Sequence, residues 1–180
     1  ANPNTEVDPL SAMTASLNTE AANAVANAAA STPRRILPFA APITDALSPF
    51  AEPLLRVVVG LTLVPHGAQK LFGAFGGYGL EATGQFFEAK LGLPPVMALI
   101  AGLIEFFGGL ALAAGLLTRP AAALAAGLLA VAAFQVHWGA GFFWTAGGFE
   151  YPLLWAVAAL FFALRGGGRY SADAAIGREF

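Results

Sequence analysis

A chain that carries PVMALIAGLIEFFGGLALAAGLL at residues 95–117 has few folds open to it. The run is apolar for long enough to cross a bilayer, which takes roughly 20 residues at about 1.5 Å each. One carboxylate, Glu105, sits near its middle. A charge at that depth costs on the order of a few kcal/mol unless it is paired, protonated or hydrated. Gly102, Glu105, Gly109 and Ala113 recur at helical spacing, so the acid shares a small-residue face on which another helix can pack closely. Glu105 is therefore expected to point into a bundle and away from lipid.

The rest of the chain agrees. It is 57% hydrophobic and 11% charged, with a mean hydropathy of +0.67, against about 45–50% apolar and about 25% charged residues in soluble domains. This composition marks an integral membrane protein with room for one compact helical domain. A net charge of −2 and the lack of a basic stripe exclude a nucleic-acid partner. Cysteine is absent, which removes disulfides, iron–sulfur ligation, covalent c-type haem and thiol redox chemistry. Any redox role must use a non-covalently bound cofactor or a diffusible substrate.

Residues 1–50 stand apart as an extension rich in Ala, Asn, Thr and Pro, without the basic region and apolar core of a signal peptide. Leu10, Met13, Leu17, Ala21, Val25 and Ala28 lie at helical spacing, which predicts a weakly amphipathic helix ending near Ser31 and suits a partner-binding arm. Residues 51–180 read as the membrane domain, with spans at about 53–72, 95–117, 120–138 and 149–164. Pro65 is expected to kink the first span. Glycines then lead to a short helix over 83–91, capped by Gly92, whose Phe86, Phe87 and Leu91 would lie in the membrane interface. Thr118-Arg119-Pro120 is expected to turn the chain between the second and third spans.

The expected fold is thus all-α, a four-helix membrane bundle with an interfacial helix between spans one and two. Arg34, Arg35, Arg56, Arg119, Arg165, Arg169 and Arg178 would fall on one side, and Lys70 and Lys90 on the other. This bias places both termini in the cytoplasm of a multi-pass protein of the inner membrane. Arg56 reads as an anchor snorkelling to lipid headgroups.

From residue 53 to 176 the sequence resembles the DoxX family of small bacterial membrane proteins, which includes the DoxD-type subunit of thiosulfate:quinone oxidoreductase. The resemblance rests on Arg56 with Gly60, His66-Gly67 followed by Lys70-Leu71, Glu105 followed by Gly108-Gly109, and Gly115-Leu116-Leu117-Thr118-Arg119. It continues through Gly141-Phe142, Glu150 with Pro152, and Gly168-Arg169-Tyr170-Ser171, with Gly167 where Pro is common. The resemblance implies a four-helix membrane fold and association with redox complexes.

Two functional readings follow. One is an accessory subunit packing into a larger membrane redox or electron-transfer complex, with other membrane subunits and lipids as partners. The alternative is a quinone-handling subunit of the thiosulfate:quinone type. There His66 and Glu105, at similar estimated depths on antiparallel helices, would meet a quinol hydroxyl and pass its proton. Lys70 and His137 are further candidates for quinone or lipid contacts. Lys70 reads otherwise as a snorkelling anchor or as a partner of Glu81, Glu88 or Glu150. Glu150 reads first as a cap of the fourth helix. Haem held by His66 and His137 is not expected, since their estimated depths differ by about 6 Å at the helical rise. No metal-ligand spacing is present.

Overall fold

The structure is a computed structural model and describes residues 9–31 and 35–179. Arg34 lies outside them, as do the side chains of Val25 and Ala28. The chain divides into two compact units, residues 1–46 and 47–180. In the first, α1 (Pro9–Ser31) exposes Leu10, Met13 and Leu17, and Arg35 pairs with Asp45 at 2.6 Å on the surface.

The described residues form helices and turns only. After α1 come α2 (Ala41–Phe72), α3 (Gly79–Leu91) and α4 (Val96–Leu103). A π-helical turn (Ile104–Gly108) joins α4 to α5 (Gly109–Ala114). Then follow α6 (Thr118–Val131) with a second π-helical turn (Ala132–His137), α7 (Glu150–Arg165) and α8 (Ala172–Ile176). The expected first span begins twelve residues early, because α2 runs unbroken through Pro49, Pro53 and Pro65. An apolar surround favours keeping backbone hydrogen bonds inside a helix even where proline removes one. α3 likewise starts at Gly79, and Gly92 closes it in the left-handed conformation at φ 64°.

Three runs are long and apolar enough to cross a bilayer: Pro38–Phe72, Val96–Ala114 and Thr118–Ala140. Large side chains such as Leu54, Leu124, Val157 and Leu164 face outward, as suits helices surrounded by lipid. α7, the expected fourth span, has 16 residues. It is about 24 Å long at the helical rise, short of a roughly 30 Å hydrocarbon layer.

The interior is built from small residues. Ala121, Ala122, Ala125 and Ala126 of α6 pack with Ala156, Ala159 and Phe162 of α7, and Val59, Leu63 and Leu112 complete the cluster. Closest of all is the seam of α2 against α4–α5. A Cβ on Gly60 would lie 2.5 Å from the Gly109 carbonyl oxygen and the Ala113 amide, and one on Gly67 would lie 2.4 Å from the Phe106 amide. Backbone therefore meets backbone, as only glycine permits at that distance.

At one end of the seam Arg56 is 2% exposed. Its guanidinium donates to the carbonyls of Leu112 and Ala113 at 3.0 Å and of Tyr170 at 2.6 Å. The headgroup anchor expected at Arg56 is therefore corrected. Gly60, one turn on, draws α2 so close to the C-terminal carbonyls of α5 that the cation satisfies them instead of reaching outward. The turn between the second and third spans also differs. α5 stops at left-handed Gly115, and Leu117 (φ 49°) precedes α6. Thr118-Arg119-Pro120 is then the first turn of α6, where proline's missing N–H is no loss. Asp173, 2% exposed, fastens this turn by accepting from the amides of Leu117 (2.8 Å) and Thr118 (2.9 Å) and the Thr118 hydroxyl (2.7 Å). Burial pushes the Asp173 carboxyl up, but the three hydrogen bonds and the Arg56 charge outweigh it and hold it below its ordinary value.

Gly60→Ala should destabilise the purified protein by about 1–3 kcal/mol, the cost of overpacking. Gly127→Ala on α6, where nothing lies within 4 Å of the added Cβ, should be neutral or slightly stabilising. Thermal unfolding in one detergent checks both. Because folded Asp173 binds its proton more weakly than the unfolded chain does, its stabilisation is full above the ordinary value of 3.8. It drains away as the pH falls through the depressed folded value. Asp173→Asn should lower the unfolding temperature at neutral pH and flatten its fall in acid.

Candidate functional site

Both π-helical turns sit beside one cavity. A π turn adds a residue to the helix and leaves part of its backbone bonding out of register, which is rarely retained without a use. The first turn carries Glu105 and the second ends on His137, and both residues line a space of about 1020 Å³. The end of α2 contributes Gln69 and Lys70 to this space. α3 contributes Thr83, Phe86, Phe87 and Leu91, α4 contributes Met97, Ile100 and Ala101, and α6 with its π turn contributes Leu128, Leu129, Ala132 and Val136. Phe86, Phe87 and Leu91, expected in the membrane interface, thus face the cavity. The lining is mostly hydrocarbon with a few polar groups, the usual make-up of a small-molecule site.

Lys70 supplies the main polar feature. Its Nζ lies 2.6 Å and 2.9 Å from the two Glu105 carboxylate oxygens, with side chains 24% and 10% exposed. The expected meeting of His66 with Glu105 does not occur. Gly67 takes the contact position against Phe106, and His66, about 100° further round the helix, is turned outward and exposed. Lys70 lies three residues beyond Gly67 on the contact face and reaches the acid. Pairing with Glu81, Glu88 or Glu150 is likewise replaced by Glu105, and Lys70 is no headgroup anchor. Its charged end is held at Glu105 by two short bonds inside the fold.

His137 lines the cavity, and its Nδ1 lies 2.6 Å from the Gly147 carbonyl oxygen. A carbonyl only accepts, so Nδ1 carries a proton, and in the neutral imidazole Nε2 is the free acceptor. His66 does not line the cavity that His137 lines. Glu150 accepts from the Trp144 amide at 3.2 Å and braces the loop before α7, without capping its own helix. Around it, Trp138 stacks on Phe149 and Trp144 on Tyr151, with centroids 4.6 Å and 5.1 Å apart. Among the described residues no group of three or more His, Asp or Glu could hold a metal ion.

Sequence reasoning missed Tyr78, Thr83 and Gln69 on the cavity wall. The glycines around Tyr78 were the available signal. Gly73, Gly76 and Gly79 have positive φ and fold the α2–α3 connection back toward the end of α2.

The DoxX family model matches residues 53–138, a stretch that contains Lys70, Glu105 and His137. A protein of Haemophilus influenzae described as "Uncharacterized protein" is 35% identical over 128 residues, covering 69% of this chain and 90% of that protein. One of Bacillus subtilis, named "Putative oxidoreductase CatD", is 35% identical over 113 residues, covering 63% and 77%. No solved structure matches the chain.

Breaking a buried ion pair by removing one partner costs about 3–5 kcal/mol, and less here, about 1–3 kcal/mol, because Lys70 is partly exposed. Lys70→Met alone should therefore destabilise more than Lys70→Met combined with Glu105→Gln. A double-mutant cycle on unfolding temperature measures that coupling.

Proposed function

Since this chain belongs to the DoxX family of membrane proteins, as the two relatives and the family match show, we propose that its cavity receives a quinone-class ligand within a membrane redox system. The observation that carries this reading is the pairing of an extended hydrocarbon-lined space with the Lys70–Glu105 pair and a histidine of fixed tautomer. Such a site matches an amphipathic molecule with an oxygen-bearing ring and an apolar tail. Lys70 donates to a carbonyl oxygen of the ring, and the free Nε2 of His137 accepts from a hydroxyl. Oxidation of a quinol releases two electrons and two protons. The residues of this chain orient the ring and accept one proton at His137 Nε2, while the second proton leaves to water and both electrons pass to a partner subunit. The name of the B. subtilis relative, which speaks of an oxidoreductase, supports the redox setting.

The second reading is that of an accessory subunit in a larger membrane complex. The exposed Leu10, Met13 and Leu17 of α1 favour it, as a contact stripe for another subunit. In both readings α7 completes a four-span bundle, α3 lies at the membrane interface, and the arginine-rich side with both termini faces the cytoplasm.

Native mass spectrometry of the protein gently extracted from its own membrane, paired with titration of a short-tailed quinone, tests the proposal. Wild type should carry or bind the quinone, and Ala132→Trp, which fills the cavity, should weaken binding at least about tenfold, or ~1.4 kcal/mol. Equal binding by both proteins would remove the cavity from the function. Co-extracted subunits with no quinone bound would favour the accessory reading.

A further inference from the structure

A second concavity, of about 420 Å³, lies at the far end of the molecule from Lys70, where the chain leaves α7. Arg165, Arg169 and Arg178 line it together with Gly167, Gly168 and Ser171. The backbone here is fixed. A Cβ on Gly167 would lie 2.6 Å from the Thr118 hydroxyl, and one on Gly168 would lie 2.7 Å from a Glu52 carboxylate oxygen. The Asp173 amide donates to the Gly115 carbonyl at 2.9 Å, and the Arg178 amide to the Asp173 carbonyl at 3.1 Å. Ser171 Oγ accepts from the Ala174 amide at 3.1 Å. Arg165 at the end of α7, Arg169 in the connection and Arg178 beyond α8 thus converge on a segment held in one shape.

Their charges are largely unspent. The two acids on the same wall are committed elsewhere: Asp173 to Leu117 and Thr118, and Glu179 to Arg119 at 3.3 Å. Arg165 has one long contact, to Glu52 at 3.7 Å. Arg169 stands over the Tyr170 ring, 5.3 Å from its centroid. The Arg178 guanidinium has no hydrogen bond or ion pair with any described residue. Guanidinium forks match the paired oxygens of carboxylates and phosphates, and three of them together favour the more highly charged phosphate. The concavity also sits where the apolar helix α7 ends and polar chain begins, which, on the proposed reading that α7 spans the bilayer, is the depth of a lipid headgroup.

We propose that this concavity is a phosphate site, formed by Arg165, Arg169 and Arg178, for the headgroup of an acidic phospholipid or for a soluble phosphate-bearing anion. It is independent of the quinone-class cavity, shares no residue with it, and seats the cationic end of the helices on an anionic ligand.

The test uses the full chain in micelles doped with equal amounts of phosphatidylglycerol and phosphatidylcholine, with adducts read by native mass spectrometry. Wild type should retain phosphatidylglycerol over phosphatidylcholine by about fivefold or more. The double variant Arg169→Gln with Arg178→Gln should bring the ratio near one, and Lys90→Gln, an exposed charge remote in the fold, should leave it unchanged. A second arm measures thermal stabilisation by inorganic phosphate alone. Stabilisation lost in the double variant, without any lipid preference, keeps the site and makes its ligand a soluble anion. Absence of both effects in wild type, or their persistence in a double variant that unfolds cooperatively, overturns the proposal.

Discussion

The near-contact of α2 with α4–α5 positions the two cations, Arg56 and Lys70, that reach into the bundle. At Gly60 and Gly67 the two helices approach until a methyl group would strike backbone, with Leu63 and Val64 packed on Gly109 between those points. Arg56 closes one end on the carbonyls of α5, and Lys70 closes the other on Glu105. Without a hydrophobic drive between helices in lipid, dispersion over such a flush contact supplies much of the association. The terminal cations then fix how far one helix can slide along the other.

The π turns put this rigid seam to use. Glu105 and His137 each belong to a helical turn wound more loosely than its neighbours, and both line the same cavity. In a low-dielectric space a carboxylate held by an ammonium and an imidazole of fixed tautomer keep strong directional preferences. Those few groups can orient a ring among apolar walls.

How much could be read from the residues alone follows from the range of the forces involved. Membrane class, the inward direction of Glu105 and the Gly92 cap all follow from local composition and spacing. The partner of Glu105 did not. His66 and Lys70 differ in helical phase by an amount that only the position of Gly67 against Phe106 decides, and that contact is tertiary. Arg56 illustrates the same point, since a snorkelling arginine and one that caps a neighbouring helix look alike until the helices are packed. The π turns leave no mark in the sequence, because ring closure at i+5 depends on what the helix is pressed against. Local proline rules also failed over residues 41–53, where α2 continues through Pro49 and Pro53 without a break.

One wall of the cavity is α3, a single helix of 13 residues with left-handed glycine at its first residue, Gly79, and at its cap, Gly92. Its close approach to the neighbouring segment is at Gly84, where an added Cβ would lie 3.1 Å from Pro95. A molecule greasy enough to prefer these walls has already left water for the bilayer. Occupancy is then governed by its mole fraction among the lipids and not by its aqueous concentration. A modest intrinsic affinity would suffice, because the membrane has concentrated the ligand beforehand. Dilution with lipid, and not dilution with buffer, is what would empty the site.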